Sequence, residues 1–241
     1  MVGKIIGEGA YASVRIAIYK PLNQKIAIKV YEKSRIKETA RKKSIRREIR
    51  ILQLLTHPNI VKIYDVVETN NHLNIVMEYL PGTSLGSYLK VQPNSRIPEK
   101  YCKKIFKKIA KALKYMHSLN IAHRDIKLEN VILFEDLTPK LIDFGFSTCI
   151  ESSKKVKIFC GTPSYMAPEV VQRREYKGEN ADIWALGVLL FVSLTGVFPF
   201  KGATDQELYK KINNAEYPRG ELLFTRSGAD LISKMLTVNP D

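Results

Sequence analysis

The sequence HRDIKLEN at residues 123–130 constrains the fold most, because it places charged side chains and one amide in what must be a loop. An amphipathic helix is predicted to end before it, near Asn120. Two short apolar runs, residues 131–134 and 140–142, follow the loop and predict a hairpin. A second acidic loop, DFG at residues 143–145, comes directly after the hairpin. The chain must therefore fold so that one helix and one hairpin hold two acidic loops.

Two carboxylates and an amide in such loops suit phosphoryl transfer. Asp125 can orient a hydroxyl group, while Asn130 and Asp143 can hold magnesium. An isolated HRD tripeptide, however, also suits an ordinary polar turn after a helix. The interpretation therefore depends on what else the chain carries.

Further motifs lie in a definite order along the chain. The turn GEGAYA at residues 7–12 joins two predicted strands, and its glycines let backbone amides approach phosphate oxygens. In KIAIKV, residues 25–30, the period-two alternation places Lys29 on the face opposite the isoleucines. A helix with a strongly basic outer face is predicted over residues 39–55. The tripeptide APE follows the acidic loops at residues 167–169.

In this order, the motifs resemble those of eukaryotic protein kinases, and a lysine two residues after Asp125 resembles the serine/threonine type. The stretches DFGFS (143–147) and VLLFV (188–192) are most similar to the calcium/calmodulin-dependent and AMP-activated group. The resemblance covers essentially the whole chain. It implies transfer of the γ-phosphoryl group of MgATP to serine or threonine hydroxyls of proteins. A pseudokinase or nucleotide-binding scaffold is the alternative.

The resemblance implies an α+β, bilobal protein-kinase fold across residues 1–241. A small lobe of antiparallel β-sheet and one helix is expected to about residue 79, followed by a hinge at about 78–82. A mainly helical lobe is expected over residues 83–241. In the family an arginine and a last helix follow shortly after the point where this sequence stops. The resemblance therefore implies a domain cut slightly short, which could be inactive.

The family also implies roles for individual residues. Asp125 would orient the substrate hydroxyl, Lys127 would neutralise charge on the moving phosphoryl group, and Asn130 and Asp143 would bind Mg²⁺, which Mn²⁺ could replace. Lys29 would reach the ATP phosphates and pair with Glu48; Glu38 is the rival partner, but it lies at the helix start. The residues expected to contact ATP are Ile6, Gly7, Glu8, Gly9, Ala10, Tyr11, Ala12, Val14, Ala27, Lys29, Met77, Glu78, Leu80 and Ile132.

The predicted activation segment lies between DFG and APE. Thr162 matches a residue that hydrogen-bonds the catalytic Asp125 and Lys127 in serine/threonine kinases. The position at which related kinases commonly carry an activating threonine is Ile158 here. Either another hydroxyl takes its place, or the segment is ordered without phosphate. The candidate hydroxyls are those of Thr148, Ser152 and Ser153.

A few residues of the sequence bear on which protein substrates are preferred. Glu129 matches a residue that receives an arginine upstream of the phosphosite in basophilic kinases. Ser84 and Val192 stand where strongly basophilic relatives carry acids. Protein substrates with a basic residue before the serine or threonine are therefore a hypothesis.

The formal net charge of +15 requires a nucleic-acid interpretation to be considered. The lysines of residues 100–114 surround an apolar helical face, and no aromatic interleaving accompanies them, so we interpret them as a solvated surface without specific nucleic-acid binding.

No apolar run approaches the roughly 20 residues that span a bilayer. Three cysteines without a CxxC motif suit a reducing compartment. We expect a monomeric domain, cytoplasmic or nuclear, without membrane attachment.

Overall fold

The first third of the chain forms an antiparallel sheet. The computed structural model describes residues 2–9, 12–36, 38–149, 157–219 and 224–239. The strands of this sheet are β1 (Val2–Glu8), β2 (Ala12–Tyr19), β3 (Gln24–Glu32), β4 (Ile63–Glu68) and β5 (His72–Glu78), in the spatial order β1-β2-β3-β5-β4.

Strand β3 lies at the centre of this sheet. It pairs with β2 so that Lys29 is opposite Val14, and with β5 so that Lys29 is opposite Ile75. Because side chains alternate along a strand, Ala27, Lys29 and Tyr31 share one face. Ala27 and Tyr31 are buried. The central strand therefore presents Lys29 toward the interior.

Helix α1 (Thr39–Leu54) agrees with the predicted helix to within one residue. Its buried residues are spaced by three and four positions, which is one face of an α-helix. Four side chains form that face: Ile45, Glu48, Ile51 and Leu52. Glu48 is thus a carboxylate within an otherwise apolar stripe, which requires partners for both of its oxygens.

The remainder of the chain is mainly helical. Short strands, paired in two small sheets, flank its loops. The helices are α2 (Leu85–Lys90), α3 (Glu99–Ser118), α4 (Pro168–Val171), α5 (Gly178–Thr195), α6 (Asp205–Asn213) and α7 (Arg226–Met235). The short strands are β6 (Thr83–Ser84), β7 (Ile121–Ala122), β8 (Val131–Leu133), β9 (Pro139–Leu141) and β10 (Thr148–Cys149). This sheet-plus-helices arrangement agrees with the predicted bilobal α+β fold.

Helix α5 is buried along most of its length and packs against α3 and α7. From the sequence, the apolar residues from Asp182 to about Thr195 predict this helix, but it begins one turn earlier, at Gly178. Glu179 in the first turn favours this earlier start through its interaction with the helix dipole. The helix ends at Thr195, as predicted, and is followed by Gly196, whose φ of 77° suits glycine.

Helix α3 separates apolar from charged residues. The buried side chains Cys102, Ile105, Ile109 and Leu113 lie on one face. Lysines occupy much of the remainder, as predicted. Among the residues that the structure describes, no helix has the length and apolarity needed to cross a bilayer.

Candidate active site

Lys29 is held by a carboxylate from helix α1. Its Nζ lies 2.7 Å from Glu48 Oε1. Burial alone would lower the pKa of Lys29, but the Glu48 carboxylate, supported by other acidic groups, raises it well above its ordinary value. Lys29 is therefore a permanent cation. Glu38, the rival partner, is exposed at the start of α1.

The second acidic loop reaches the same lysine. Asp143 Oδ1 lies 3.2 Å from Lys29 Nζ and accepts a hydrogen bond from the Gly145 amide. Although burial raises the pKa of Asp143, the Lys29 charge and the hydrogen bonds from Lys29 and the Gly145 amide together lower that pKa below its usual range. Asp143 has a φ of 61°, a left-handed conformation that costs free energy outside glycine. The surrounding contacts hold this carboxylate in a defined place.

The loop at residues 123–130 forms a connected polar network around Asp125. Lys127 Nζ lies 2.7 Å from Asp125 Oδ2, and Asn130 Nδ2 donates to the same oxygen at 2.9 Å. Thr162 Oγ1 accepts from Lys127 at 3.1 Å and donates to Asp125 Oδ1 at 3.2 Å. The structure thus brings Thr162 to Asp125 and Lys127 across a sequence distance of more than thirty residues.

Asp182 of helix α5 holds the backbone of this loop through hydrogen bonds. Its fully buried carboxylate accepts hydrogen bonds from the backbone amides of His123 (2.8 Å) and Arg124 (2.7 Å). His117 Nε2 lies 2.9 Å from the same side chain. Arg124 has a φ of 64°, so the loop makes its turn in a conformation that costs free energy. Asp182 therefore stabilises the backbone that presents Asp125.

A cleft of about 550 Å³ lies between the sheet and the helical part. That volume is within the usual range for small-molecule sites. Its wall includes each predicted ATP-contacting residue that the structure describes, together with Glu48, Asn130 and Asp143. These residues are Ile6, Gly7, Glu8, Gly9, Ala12, Val14, Ala27, Lys29, Met77, Glu78, Leu80 and Ile132. Ala10 and Tyr11 lie outside the described residues.

The chain crosses from sheet to helices beside this cleft. Glu78 Oε1 accepts hydrogen bonds from Lys140 Nζ (2.5 Å) and from the Lys62 amide (2.6 Å). Gly82 then passes so close to β8 that a Cβ atom would lie 2.5 Å from the Leu133 carbonyl oxygen. Only glycine allows this approach without a shift. The two hydrogen bonds of Glu78 and the close approach of Gly82 to β8 together define the position of the crossing.

The donor set at the base of the cleft fits magnesium. Asp143 offers carboxylate oxygen, and Asn130 uses its amide nitrogen for hydrogen bonds to Asp125, which leaves the amide oxygen to meet a cation. The Ile142 amide donates to the Asn130 carbonyl at 2.9 Å, so the two candidate ligands lie on adjoining backbone. Oxygen ligands are those that Mg²⁺ prefers.

The structure describes two parts of the segment after DFG, and each of them contacts the rest of the protein. Thr148 lies in β10, opposite Ala122 of β7. Further along, Tyr176 donates its hydroxyl to the Ile158 carbonyl at 2.9 Å. Ser152 and Ser153 lie outside the described residues. Glu129 is an exposed residue of the loop at residues 123–130.

Among the tyrosines that contact this site, Tyr31 and Tyr176 escaped the sequence analysis. Tyr31 donates its hydroxyl to Glu48 Oε2 at 2.8 Å, and Tyr176 binds the Ile158 carbonyl. The alternation of β3 already placed Tyr31 on the face of Lys29, and that signal could have identified it. Tyr176 carried no comparable signal, because its partner is a backbone carbonyl.

Comparison with known families places the chain in a class that agrees with this fold and site. The protein kinase domain family matches residues 1–241, and the chain belongs to that family. Its members generally use ATP and Mg²⁺. The predicted resemblance to protein kinases and the predicted α+β bilobal fold are therefore confirmed.

Several curated proteins are similar over nearly the whole chain. The probable serine/threonine-protein kinase MARK-A of Dictyostelium discoideum is 38% identical over 100% of this chain and 22% of its own length. CBL-interacting protein kinase 15 of Oryza sativa subsp. japonica is 37% identical over 99% of this chain and 55% of its own length. The carbon catabolite-derepressing protein kinase of Candida glabrata is 38% identical over 98% of this chain and 38% of its own length. The chain thus spans between 22% and 55% of the length of these relatives.

Proposed function

We propose that the chain catalyses transfer of the γ-phosphoryl group of ATP to serine or threonine hydroxyls of protein substrates. The observation that carries this proposal is that two polar networks meet at one cleft, the second of them through Asn130, which lines the cleft and donates a hydrogen bond to Asp125. One network joins Lys29 to Glu48 and Asp143. The other joins Asp125 to Lys127 and to further polar groups of its loop. The names of the similar proteins support the serine/threonine assignment.

In this proposal, Asp125 accepts a hydrogen bond from the substrate hydroxyl and orients its oxygen toward the γ-phosphorus. A bond forms between that oxygen and phosphorus, and the bond from phosphorus to the β,γ-bridging oxygen breaks. The hydroxyl proton passes to Asp125, and ADP leaves. Lys127, 2.7 Å from Asp125, stabilises negative charge on the transferring group.

Lys29 binds the α- and β-phosphates in this proposal. Glu48 holds its ammonium group in the cleft, because the pair is nearly buried and a lysine side chain is otherwise flexible. The adenine lies between the sheet side chains Val14 and Ala27 and the hairpin residue Ile132, beside Met77. These apolar side chains would exclude water from the base.

Asn130 and Asp143 would hold the magnesium ion. When bound, Mg²⁺ supplies positive charge that neutralises the phosphate oxygens. Mn²⁺, which also accepts oxygen ligands, would be an alternative ion. Glu129, an exposed residue of the loop, would favour a basic residue upstream of the phosphorylated serine or threonine.

A transfer assay with radiolabelled ATP and a peptide mixture tests the proposal. Asp125→Asn should lower kcat by about 10²- to 10⁴-fold, the range for removal of a general base. Asp205→Asn, at an exposed position on helix α6, is the control and should leave kcat unchanged. Equal rates for wild type and Asp125→Asn would contradict the assignment of Asp125. Nucleotide binding without any transfer would instead favour the alternative, a nucleotide-binding scaffold.

A further inference from the structure

Two donors from one strand bind the two oxygens of a single carboxylate. Lys29 Nζ lies 2.7 Å from Glu48 Oε1, and the Tyr31 hydroxyl donates to Glu48 Oε2 at 2.8 Å. Lys29 and Tyr31 are two residues apart on β3, so both side chains point to the same side of the sheet. Helix α1 is thereby joined to the central strand through Glu48.

The Tyr31 hydroxyl donates to the Glu48 carboxylate in a place that is shielded from water. Glu48 and Tyr31 are each only 3% exposed. A buried carboxylate oxygen without a donor is strongly disfavoured, and water has little access here to replace one. Hydrogen bonds to charged acceptors are roughly twice as strong as those between neutral groups.

Tyr31 also contacts the lysine of the pair. Lys29 Nζ lies 5.4 Å from the centre of the Tyr31 ring, within the range of a cation–π interaction. Burial, reinforced by the Glu48 carboxylate, raises the pKa of the Tyr31 phenol well above its ordinary value. The hydroxyl therefore keeps its proton and remains a donor across the physiological pH range.

We propose that Tyr31 is a positioning residue, whose hydroxyl holds Glu48 in the orientation that pairs it with Lys29 and keeps α1 against the sheet. This inference rests on the proposed function for its effect on turnover. Helix α1 also contacts the DFG loop, but through a longer hydrogen bond, with Ser44 Oγ lying 3.4 Å from the Gly145 carbonyl oxygen. The buried Tyr31 hydrogen bond can therefore act with the Lys29–Glu48 pair to resist movement of the helix.

Tyr31→Phe removes the hydroxyl and keeps the ring. The expected kcat falls by about 10- to 100-fold, as for loss of one hydrogen bond to a charged group. The KM for a peptide substrate should stay unchanged, because the residues expected near the peptide, Glu129 and Thr162, belong to the helical lobe and not to the sheet that carries Tyr31. Tyr64→Phe is the matched control, since Tyr64 is 44% exposed on β4 of the same sheet, and it should behave as wild type.

Hydrogen exchange of the full chain separates positioning from general stability. In Tyr31→Phe, amides of α1 should exchange faster, while amides of α5 keep the wild-type rate. In a Glu48→Ala background, the same substitution should produce no further change in α1. This readout does not depend on catalysis.

Each outcome has a clear meaning. Unchanged kcat in Tyr31→Phe, faster exchange spread equally over α5, or an undiminished effect in the Glu48→Ala background would each overturn the role of Tyr31. Absence of transfer by the wild type would overturn the proposed function instead. In that case the exchange comparison would still decide whether Tyr31 holds α1 through Glu48.

Discussion

The carboxylate of Asp182 accepts a hydrogen bond of 2.7 Å from the backbone amide of Arg124. The two residues are fifty-eight positions apart in the chain. Asp182 belongs to the most deeply buried helix, whereas Arg124 belongs to the loop that carries Asp125. The rigid core of the helical part is therefore connected directly to the candidate catalytic loop.

Substitution of Asp182 should weaken both stability and activity. Asp182→Ala would leave the buried amides of His123 and Arg124 without acceptors, at about 1–3 kcal/mol each, so the free energy of unfolding should fall by roughly 2–6 kcal/mol. Urea unfolding measures this change. Asp205→Ala, exposed in the first turn of α6, is the control and should cost less than about 1 kcal/mol. Similar losses in both variants would contradict a supporting role for Asp182.

The Thr162 hydroxyl should matter for turnover because it bridges Asp125 and Lys127. Thr162→Val keeps the shape of the side chain but removes the bridge, and we expect kcat to fall about tenfold, equivalent to ~1.4 kcal/mol. Thr162→Ser should restore most of the rate. Steady-state kinetics on both variants checks this. A serine variant as slow as the valine variant would show that the hydroxyl is not the important group.

The segment around Ile158 should be ordered without a phosphate. Tyr176 anchors the Ile158 carbonyl, and the Arg173 guanidinium lies 4.8 Å from the neighbouring Phe159 ring. We therefore expect phosphatase treatment to leave the transfer rate unchanged, whereas Tyr176→Phe should lower it. Mass spectrometry of residues 145–166 before and after treatment verifies that phosphates were removed. Loss of activity on treatment, reproduced by alanine at Thr148, Ser152 or Ser153, would contradict this prediction.

The contact between α3 and α7 should make stability depend on pH. Glu99 accepts hydrogen bonds from the hydroxyl (2.7 Å) and the amide (2.9 Å) of Thr225, and these lower the pKa of Glu99 below its ordinary value of 4.5. A depressed folded-state pKa contributes stability that is present above pH 4.5 and lost as pH falls through that lower pKa.

Glu99→Gln should therefore be less stable than wild type at pH 7, by less than about 1 kcal/mol because the group is largely solvated. The difference between the two proteins should shrink in acid. Denaturant unfolding at a series of pH values measures it. A difference that stays constant from neutral pH into acid would show that the carboxylate charge is not responsible.

Local properties of the sequence were sufficient to predict much of this protein. The alternation in residues 25–30 and the spacing in residues 39–55 predicted β3 and α1, because periodicity reflects which face is buried. Proximity of Thr162 to Asp125 was also predicted, from the motif that it shares with protein kinases. Single contacts of this type can be inferred where a family motif carries them.

Other features depend on packing between distant segments. The contact between Tyr31 and Glu48 requires α1 to lie at one particular angle on β3, and nothing in either segment alone specifies that angle. The same holds for Tyr176, which finds the carbonyl of Ile158, and for the pairing of Glu78 with Lys140 beside the cleft. Side-chain chemistry and periodicity are local, so the sequence by itself determined the kinds of element and the reacting groups. Only the tertiary structure decided which donors reach the buried carboxylates, because those distances are set by how helices and sheet pack together.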